Sequence, residues 1–188
     1  MSEKSMAHSA LSAPSQWVER FAPLVDSGST VLDVACGGGR HARLFAARDC
    51  HVEAVDRDAE ALAQLVGVDG ITTTLADLEA TEWPYAEQRF DAVVVANYLY
   101  RPHFGALLES VAPGGILLYE TFMQGNERFG KPSNPNFLLA PGELLECVRG
   151  GFTVIAFEQG EVSVPKPAMV QRLCAVRRGA RKTLPPLP

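Results

Sequence analysis

The sequence has 188 residues, 47% of them hydrophobic, and a formal net charge of −5 at pH 7. This length predicts a single domain whose core is large enough to be stable without disulfides or metals. The longest uninterrupted hydrophobic run, residues 92–96, is too short to cross a membrane, and the acidic balance argues weakly against a dedicated nucleic-acid-binding protein.

The four cysteines lack the spacing of a zinc or iron–sulfur motif, so we expect no metal site and four reduced, mostly buried thiols. They are Cys36, Cys50, Cys147 and Cys174. Residues 1–15 lack the apolar stretch of a signal peptide, which predicts a flexible tail and a cytoplasmic protein. We therefore expect the folded domain at 16–177, followed by a second flexible tail at 178–188.

The first half of the sequence alternates strand and helix patterns. Apolar residues at helical spacing predict a short first helix over residues 17–25. Strands are predicted at residues 30–35, 51–56, 70–76 and 90–99. The last of these is continuously apolar, which is typical of a parallel-sheet strand buried on both faces. A helix follows Gly39, with His41 and Arg43 expected on its solvent-exposed side, and another spans 58–66 with Asp58 as N-cap.

The second half of the sequence continues this alternation and then changes. Helices are predicted at 102–111 and 141–149, a turn at 113–115, and strands at 116–122, 152–162 and 169–176. The last two strands are joined by a short proline-containing connection, so we expect them to be antiparallel neighbours. Residues 123–140 have no periodicity, which indicates a functional or disordered loop.

This order of elements predicts an α/β fold, with a doubly wound, mostly parallel, seven-stranded Rossmann-like sheet that closes in an antiparallel hairpin. Such sheets bind ligands at the carboxyl ends of their strands, where the strand order reverses. The end of the first strand, residues 33–39, is therefore the first place to look for a binding site.

A glycine-rich turn follows the first predicted strand. Its glycines would let a ligand approach the backbone, but a dinucleotide site would use the same feature. Asp56 ends the second strand, 19 residues after Gly37, which is about the spacing of an acid that holds a ribose diol. Asp33, ahead of the glycines, would repel a pyrophosphate and attract an ammonium and a sulfonium. The pattern favours S-adenosylmethionine over NAD.

On these motifs the sequence resembles the class I S-adenosylmethionine-dependent methyltransferases, and within them the small tellurite-resistance-type bacterial enzymes. The segments that carry the resemblance are 33–39, 54–56, 76–78, 90–95 and 113–117. The resemblance implies S-adenosyl-L-methionine as the cofactor and a methyltransferase activity.

By position, the resemblance places five residues around the methionine part of the cofactor. Gly37 and Gly39 would pack against it, Ala35 in the same turn would also contact the cofactor, and Asp33 would face its amino group directly or through water. Asn97 would lie beside the sulfonium. Asp33 could instead be a structural acid that caps the glycine loop, and Asn97 could simply cap its strand.

The nucleoside part of the cofactor is assigned in the same way. Asp56 would accept from both ribose hydroxyls, and Arg57 would lie near the adenine. Asp77 would accept from the adenine amino group and Leu78 would supply a backbone N–H, although an aspartate also commonly starts a turn.

The acceptor side of the site is less specific. The candidate catalytic residues are Tyr98, His103, Glu120 and Arg128, each of a kind that is more often a surface or packing residue. The sequence after the fourth strand, residues 97–100, lacks the Asp-Pro-Pro-Tyr or Asn-Pro-Pro-Tyr pattern, which disfavours methylation of nucleic-acid bases. We expect an unidentified small-molecule acceptor, with no nucleic-acid or membrane partner, and in-line transfer of the methyl group.

Three functions remain open from the sequence. The first is a small-molecule methyltransferase, in which residues 123–140 would close over the acceptor. The second is a catalytically silent regulator that binds S-adenosylmethionine. The third is an NAD-linked oxidoreductase, which shares the sheet, the glycines and Asp56 but lacks a plausible hydride-relay pair.

Overall fold

A seven-stranded mixed sheet forms the centre of the molecule. The computed structural model describes residues 13–179. The strands are β1 (Thr30–Val34), β2 (His51–Asp56), β3 (Ile71–Leu75), β4 (Phe90–Ala96), β5 (Val111–Phe122), β6 (Phe152–Val162) and β7 (Ala168–Arg177). The α-helices are α1 (Gln16–Phe21), α2 (Arg40–Ala46), α3 (Ala59–Ala63), α4 (Phe104–Glu109) and α5 (Glu143–Cys147).

The strand pairing confirms the predicted fold class. The strand order is β3-β2-β1-β4-β5-β7-β6. Strands β1 to β5 pair in parallel, and the order reverses beside β1, which lies between β2 and β4. Strand β7 inserts antiparallel between β5 and β6. The two predicted tails, 1–15 and 178–188, lie mostly outside the described residues.

Both faces of the central strands are buried. Helices α1, α2 and α3 pack on one face, where Phe45 and Leu65 are almost fully enclosed. Helices α4 and α5, together with residues around Trp83, cover the other face over Leu117 and Tyr119. Because neither face meets water, the central strands read as continuous apolar runs in the sequence.

The turn predicted at residues 113–115 is wrong, because these residues lie inside the long strand β5. The pairing of β4 with β5 is irregular here, with a register shift between Phe90 and Ala92. A Cβ on Gly115 would lie 2.8 Å from the Ala112 carbonyl oxygen and 3.0 Å from that of Asp91. The glycine therefore permits close approach of neighbouring backbones rather than a reversal of the chain.

The expected exposure of His41 is also wrong. His41 is only 2% exposed, and its Nε2 accepts a hydrogen bond from the Ser15 backbone N–H at 3.1 Å. Burial, with a smaller contribution from Arg40, lowers the pKa of His41 to about 3, so its ring is neutral. Arg43 is half-buried and donates to the Gln64 carbonyl. Residues from other segments bury this face of α2. The periodicity of the helix alone does not reveal burial by residues distant in the sequence.

The junction between β1 and α2 is held by a buried carboxylate and a glycine. Asp33 is 1% exposed, and its Oδ2 accepts from the Ala42 N–H in the first turns of α2, at 2.9 Å. Gly39 precedes α2 with a φ of +74°, and a Cβ there would lie 2.4 Å from a methyl of buried Leu65. This turn thus requires glycine both for its dihedral angles and for its packing.

Within residues 13–179, no helix combines the length and apolar character that crossing a membrane requires.

We expect the change Gly39→Ala to lower the free energy of unfolding by about 2–4 kcal/mol, because the methyl adds left-handed backbone strain to a clash with Leu65. Gly37→Ala is the matched control. Gly37 has a φ of +54°, but a Cβ there would meet no atom within 4 Å, so backbone strain alone should cost about 1–2 kcal/mol. Urea denaturation without ligand measures both values, and equal losses would contradict the packing role of Gly39.

We expect Asp33→Asn to remove a pH dependence of stability. Burial raises the pKa of Asp33 from 3.8 to about 7, so between these values the folded chain keeps a proton that the unfolded chain has lost. The free energy of unfolding of the wild type should therefore fall as pH rises through this interval, by up to about 4 kcal/mol at about 1.4 kcal/mol per pKa unit. Urea denaturation at several pH values between about 4 and 7 should show that the free energy of unfolding falls with pH less in the asparagine variant than in the wild type. An equal fall in both proteins would show that Asp33 is not the cause.

Candidate functional site

A pocket of about 190 Å³ opens at the carboxyl ends of β1, β2, β3 and β4. Its lining includes Ala35, Asp56, Arg57, Asp77, Leu78 and Tyr98. Each of these residues follows or ends one of the four parallel strands, so the sheet topology brings them together from distant parts of the sequence. This is the place where doubly wound sheets bind ligands.

The glycine turn forms one side of this pocket. Ala35 and Gly37 both lie in the left-handed region, with φ of 53° and 54°. For alanine this conformation is strained, and such strain is concentrated at functional sites. The space around the Gly37 Cα is open, so a ligand can approach its backbone closely.

Asp56 joins the glycine turn to the end of β2. Its Oδ2 accepts from the Gly37 N–H at 2.7 Å, and its Oδ1 accepts from the Asp58 N–H at 2.9 Å. A carboxylate has about four acceptor positions, so both oxygens can still accept further hydrogen bonds. These two bonds fix the side chain where it lines the pocket, so it can accept hydrogen bonds from hydroxyl groups of a ligand.

Residues 77–81, which we call the wall segment, form the side of the pocket beyond β3. Asp77 Oδ1 accepts from the Glu79 N–H at 3.0 Å, so the aspartate does start a turn. Its backbone carbonyl accepts from the N–H and hydroxyl of Thr81. Leu78 is 4% exposed and belongs to the apolar core. Glu79, which also lines the pocket, was not singled out from the sequence.

The positions of Asp33 and Asn97 differ from the rest of the expected cofactor set. Asp33 lies beneath the glycine turn, bonded to α2, and is not among the residues that line this pocket. Asn97 is exposed at the end of β4 with a φ of 59°, and its N–H donates to the Glu120 carbonyl at 2.8 Å. Asparagine tolerates this left-handed conformation better than most residues.

Of the four candidate catalytic residues, only Tyr98 lines the described pocket. Its phenolic oxygen is buried and has no hydrogen-bond partner among the described residues. Burial, with smaller contributions from nearby acidic groups, raises its pKa, so the phenol is protonated at neutral pH. An unpaired buried hydroxyl is costly, and it is therefore a candidate for a ligand contact.

The other three candidates are engaged elsewhere. The Nε2 of His103 lies 3.2 Å from the Thr81 carbonyl oxygen. Glu120 is buried and forms an ion pair with Arg172, with 2.5 Å between Oε2 and Nε. The exposed Arg128 donates from Nε to the Gly125 carbonyl at 3.1 Å. The structure therefore does not bring the four candidates together into one catalytic group.

The segment 123–140 is folded back and held at both ends. Met123 N–H donates to the Met169 carbonyl at 3.0 Å, and Leu139 N–H donates to the Phe122 carbonyl at 3.0 Å. Arg101 donates to the carbonyls of residues 136 and 138 and forms an ion pair with Glu143. Between these anchors lies the tip, residues 127–135, which is exposed except at Pro132. The large hydrophobic side chains of Phe129 in the tip and Phe137 beside it are exposed.

The pocket chemistry fits the nucleoside part of S-adenosylmethionine. Asp56 and Asp77 supply acceptors for hydroxyl and amino groups, Leu78 supplies an apolar contact, and Tyr98 brings the unpaired hydroxyl. Among residues 13–179 there is no cluster of three or more histidine, cysteine or acidic side chains suited to a metal ion.

Comparison with known sequences agrees with this chemistry. The family described as "Methyltransferase domain" matches residues 31–115. A ubiquinone biosynthesis O-methyltransferase of Paraburkholderia phytofirmans is 30% identical over 115 residues, which are 56% of this chain and 49% of that protein. The enzyme of the same name from Xylella fastidiosa is 33% identical over 114 residues, which are 56% of this chain and 46% of that protein. The chain thus spans about half the length of these curated relatives.

Solved structures show the same fold. TehB from Haemophilus influenzae superposes with a TM-score of 0.71 at 18% identity, covering 86% of this chain and 61% of TehB. An S-adenosylmethionine-dependent methyltransferase from Mesorhizobium loti superposes with a TM-score of 0.65 at 20% identity, covering 86% of this chain and 97% of that protein.

The strand order, the glycine turn tied to Asp56 and the matched domain are thus found together in one chain. Residues 31–115 of this chain match the methyltransferase-domain family, and the chain has the fold of solved S-adenosylmethionine-dependent methyltransferases.

Proposed function

We propose that the protein transfers a methyl group from S-adenosylmethionine to a small-molecule acceptor. The observation that carries the proposal is the pocket in which the carboxylates of Asp56 and Asp77 stand beside the glycine turn. These acceptors match the hydroxyl and amino groups of a nucleoside, and the match of residues 31–115 to a methyltransferase domain favours S-adenosylmethionine as the molecule that carries it.

In this proposal the nucleoside is bound by the strand ends. Asp56 accepts from the ribose hydroxyls with the acceptor positions that Gly37 and Asp58 leave open. Asp77 accepts from the adenine amino group, Leu78 supplies a backbone N–H, and Arg57 lies against the base.

The methionine part is bound by the glycine turn and the end of β4. Ala35, Gly37 and Gly39 pack against it, and Asn97 lies beside the sulfonium. Asp33 acts from beneath the turn through water, because its Oδ2 is already bonded to α2 and its side chain is buried. A nearby ammonium would favour the ionised form of this carboxyl.

The bound cofactor supplies a methyl group that is already activated for transfer. The residues of the chain then need to orient the acceptor and exclude water, and orientation alone is worth up to about 7–11 kcal/mol. A general base is required only for an acceptor that holds its proton at neutral pH.

The curated relatives support an oxygen atom as the first acceptor to test, because their names describe O-methyltransferases. We therefore infer that a hydroxyl on a small organic molecule is methylated. The alternative, a regulator that binds the cofactor without turnover, is compatible with the separate positions of His103, Glu120 and Arg128, but the matched relatives are named as enzymes.

Calorimetric titration with S-adenosylmethionine, S-adenosylhomocysteine and NAD tests the proposal, combined with a panel of hydroxylated acceptors and a labelled methyl group. Binding of the first two ligands and transfer of label to an acceptor are expected. Binding of NAD alone would overturn the proposal, and tight cofactor binding with no transfer across the panel would favour the regulator.

We expect Asp56→Ala to weaken binding of S-adenosylhomocysteine by roughly 100-fold or more, because each hydrogen bond to a charged group contributes about 1.5–3 kcal/mol. Asp58→Ser is the matched control, since serine keeps the N-cap of α3 and lies outside the pocket lining. Titration calorimetry measures both affinities, with thermal melts to confirm folding. Near-equal affinity of the two variants would show that Asp56 does not bind the cofactor.

We expect shortening of the exposed tip of segment 123–140 to reduce turnover at least tenfold while affinity for S-adenosylhomocysteine changes little. The anchors at Met123, Leu139 and Arg101 remain in such a variant, and only the part that could cover the acceptor is lost. Steady-state rates and calorimetry separate the two effects. If affinity and turnover fell together, the segment would be structural rather than a cover.

A further inference from the structure

The wall segment is held from outside by two side chains that follow β4. Tyr100 Oη donates to the Glu79 carbonyl oxygen at 3.3 Å. His103 Nε2 lies 3.2 Å from the Thr81 carbonyl oxygen. The two contacts are made to backbone carbonyls of the wall segment on either side of Ala80, so together they fix both its distance from β4 and its orientation.

The hydrogen-bond partner of His103 determines which of its ring nitrogens carries a proton. A carbonyl oxygen can only accept a hydrogen bond, so the nitrogen that contacts Thr81 must carry the proton. While this bond is made, Nε2 is not available to take a proton from an acceptor. His103 is therefore poorly arranged to be a general base through that atom.

The ring of His103 is also confined by aromatic neighbours. Its centroid lies 5.0 Å from the ring of Tyr100 and 5.6 Å from that of Trp83. Trp83 is itself fixed, because its Nε1 donates to the buried Ser110 Oγ at 2.8 Å. Tyr98, two residues before Tyr100, lines the pocket directly. The chain after β4 thus forms part of the pocket on the nucleoside side.

We propose that Tyr100 and His103 are positioning residues for the base of the cofactor: by holding the wall segment they set where Asp77 meets the adenine, and so set the preference for adenine over other bases. This inference rests on the proposed function, because it takes the pocket to be the cofactor site. It replaces the catalytic role that sequence analysis suggested for His103 with one that acts through Asp77.

The test compares the affinities of S-adenosylhomocysteine and S-inosylhomocysteine, in which a carbonyl replaces the adenine amino group. The variants are Tyr100→Phe and His103→Leu, which remove the contacts, and His103→Gln, which keeps an N–H donor. Titration calorimetry on the full chain gives each affinity ratio, and thermal melts report on folding.

The wild type should prefer S-adenosylhomocysteine, and the preference should fall about three- to tenfold in Tyr100→Phe and His103→Leu, as expected for loss of a single hydrogen bond. The His103→Gln variant should retain most of the preference for S-adenosylhomocysteine, because glutamine keeps an N–H donor. A merely structural effect would lower both affinities equally and leave the ratio unchanged, which would overturn the inference. An unchanged ratio with a loss of turnover in His103→Leu would also overturn it, in favour of catalysis.

The proposed function and this inference fail in different ways. A wild type that binds neither nucleoside ligand contradicts the methyltransferase proposal itself. A wild type that binds both ligands equally leaves that proposal standing and contradicts only the role of Tyr100 and His103.

Discussion

The hydrogen bond from Gly37 N–H to Asp56 is the contact on which the pocket depends. It joins the carboxyl ends of two neighbouring parallel strands, and it is charge-assisted, which makes it stronger than a bond between neutral groups. The same carboxylate accepts from Asp58 at the start of α3. One side chain therefore sets the glycine turn, the end of β2 and the entry to the next helix. The pocket shape follows from these three fixed points.

Local patterns in the sequence were enough to predict the sheet but not its irregularities. The run around Val94 is apolar because both faces of β4 are covered, and Asp58 caps α3 as its position predicted. Gly115 was misread because a proline followed by two glycines is typical of turns, whereas this glycine is required by a neighbouring backbone. His41 was misread because its cover comes from Ser15, which the helix pattern does not contain.

The site was predictable wherever a residue type and a strand end coincide. Asp56 is the last residue of one parallel strand and Asp77 follows another, and the topology places both in one pocket. The surroundings of Asp33 could not be predicted, because the same carboxylate can satisfy a helix N–H or face a ligand. The partners of Tyr100 and His103 could not be predicted either, since they are backbone carbonyls, which every residue carries.

The attachment of segment 123–140 divides the molecule into parts that can change independently. Its two ends are bonded to β5, β7 and Arg101, while the tip, residues 127–135, is exposed except at Pro132. Doubling the length of a flexible loop costs only about 0.6 kcal/mol. Insertions and deletions in this tip can therefore accumulate during evolution without disturbing the cofactor half of the protein, and new specificities can arise there on an unchanged scaffold.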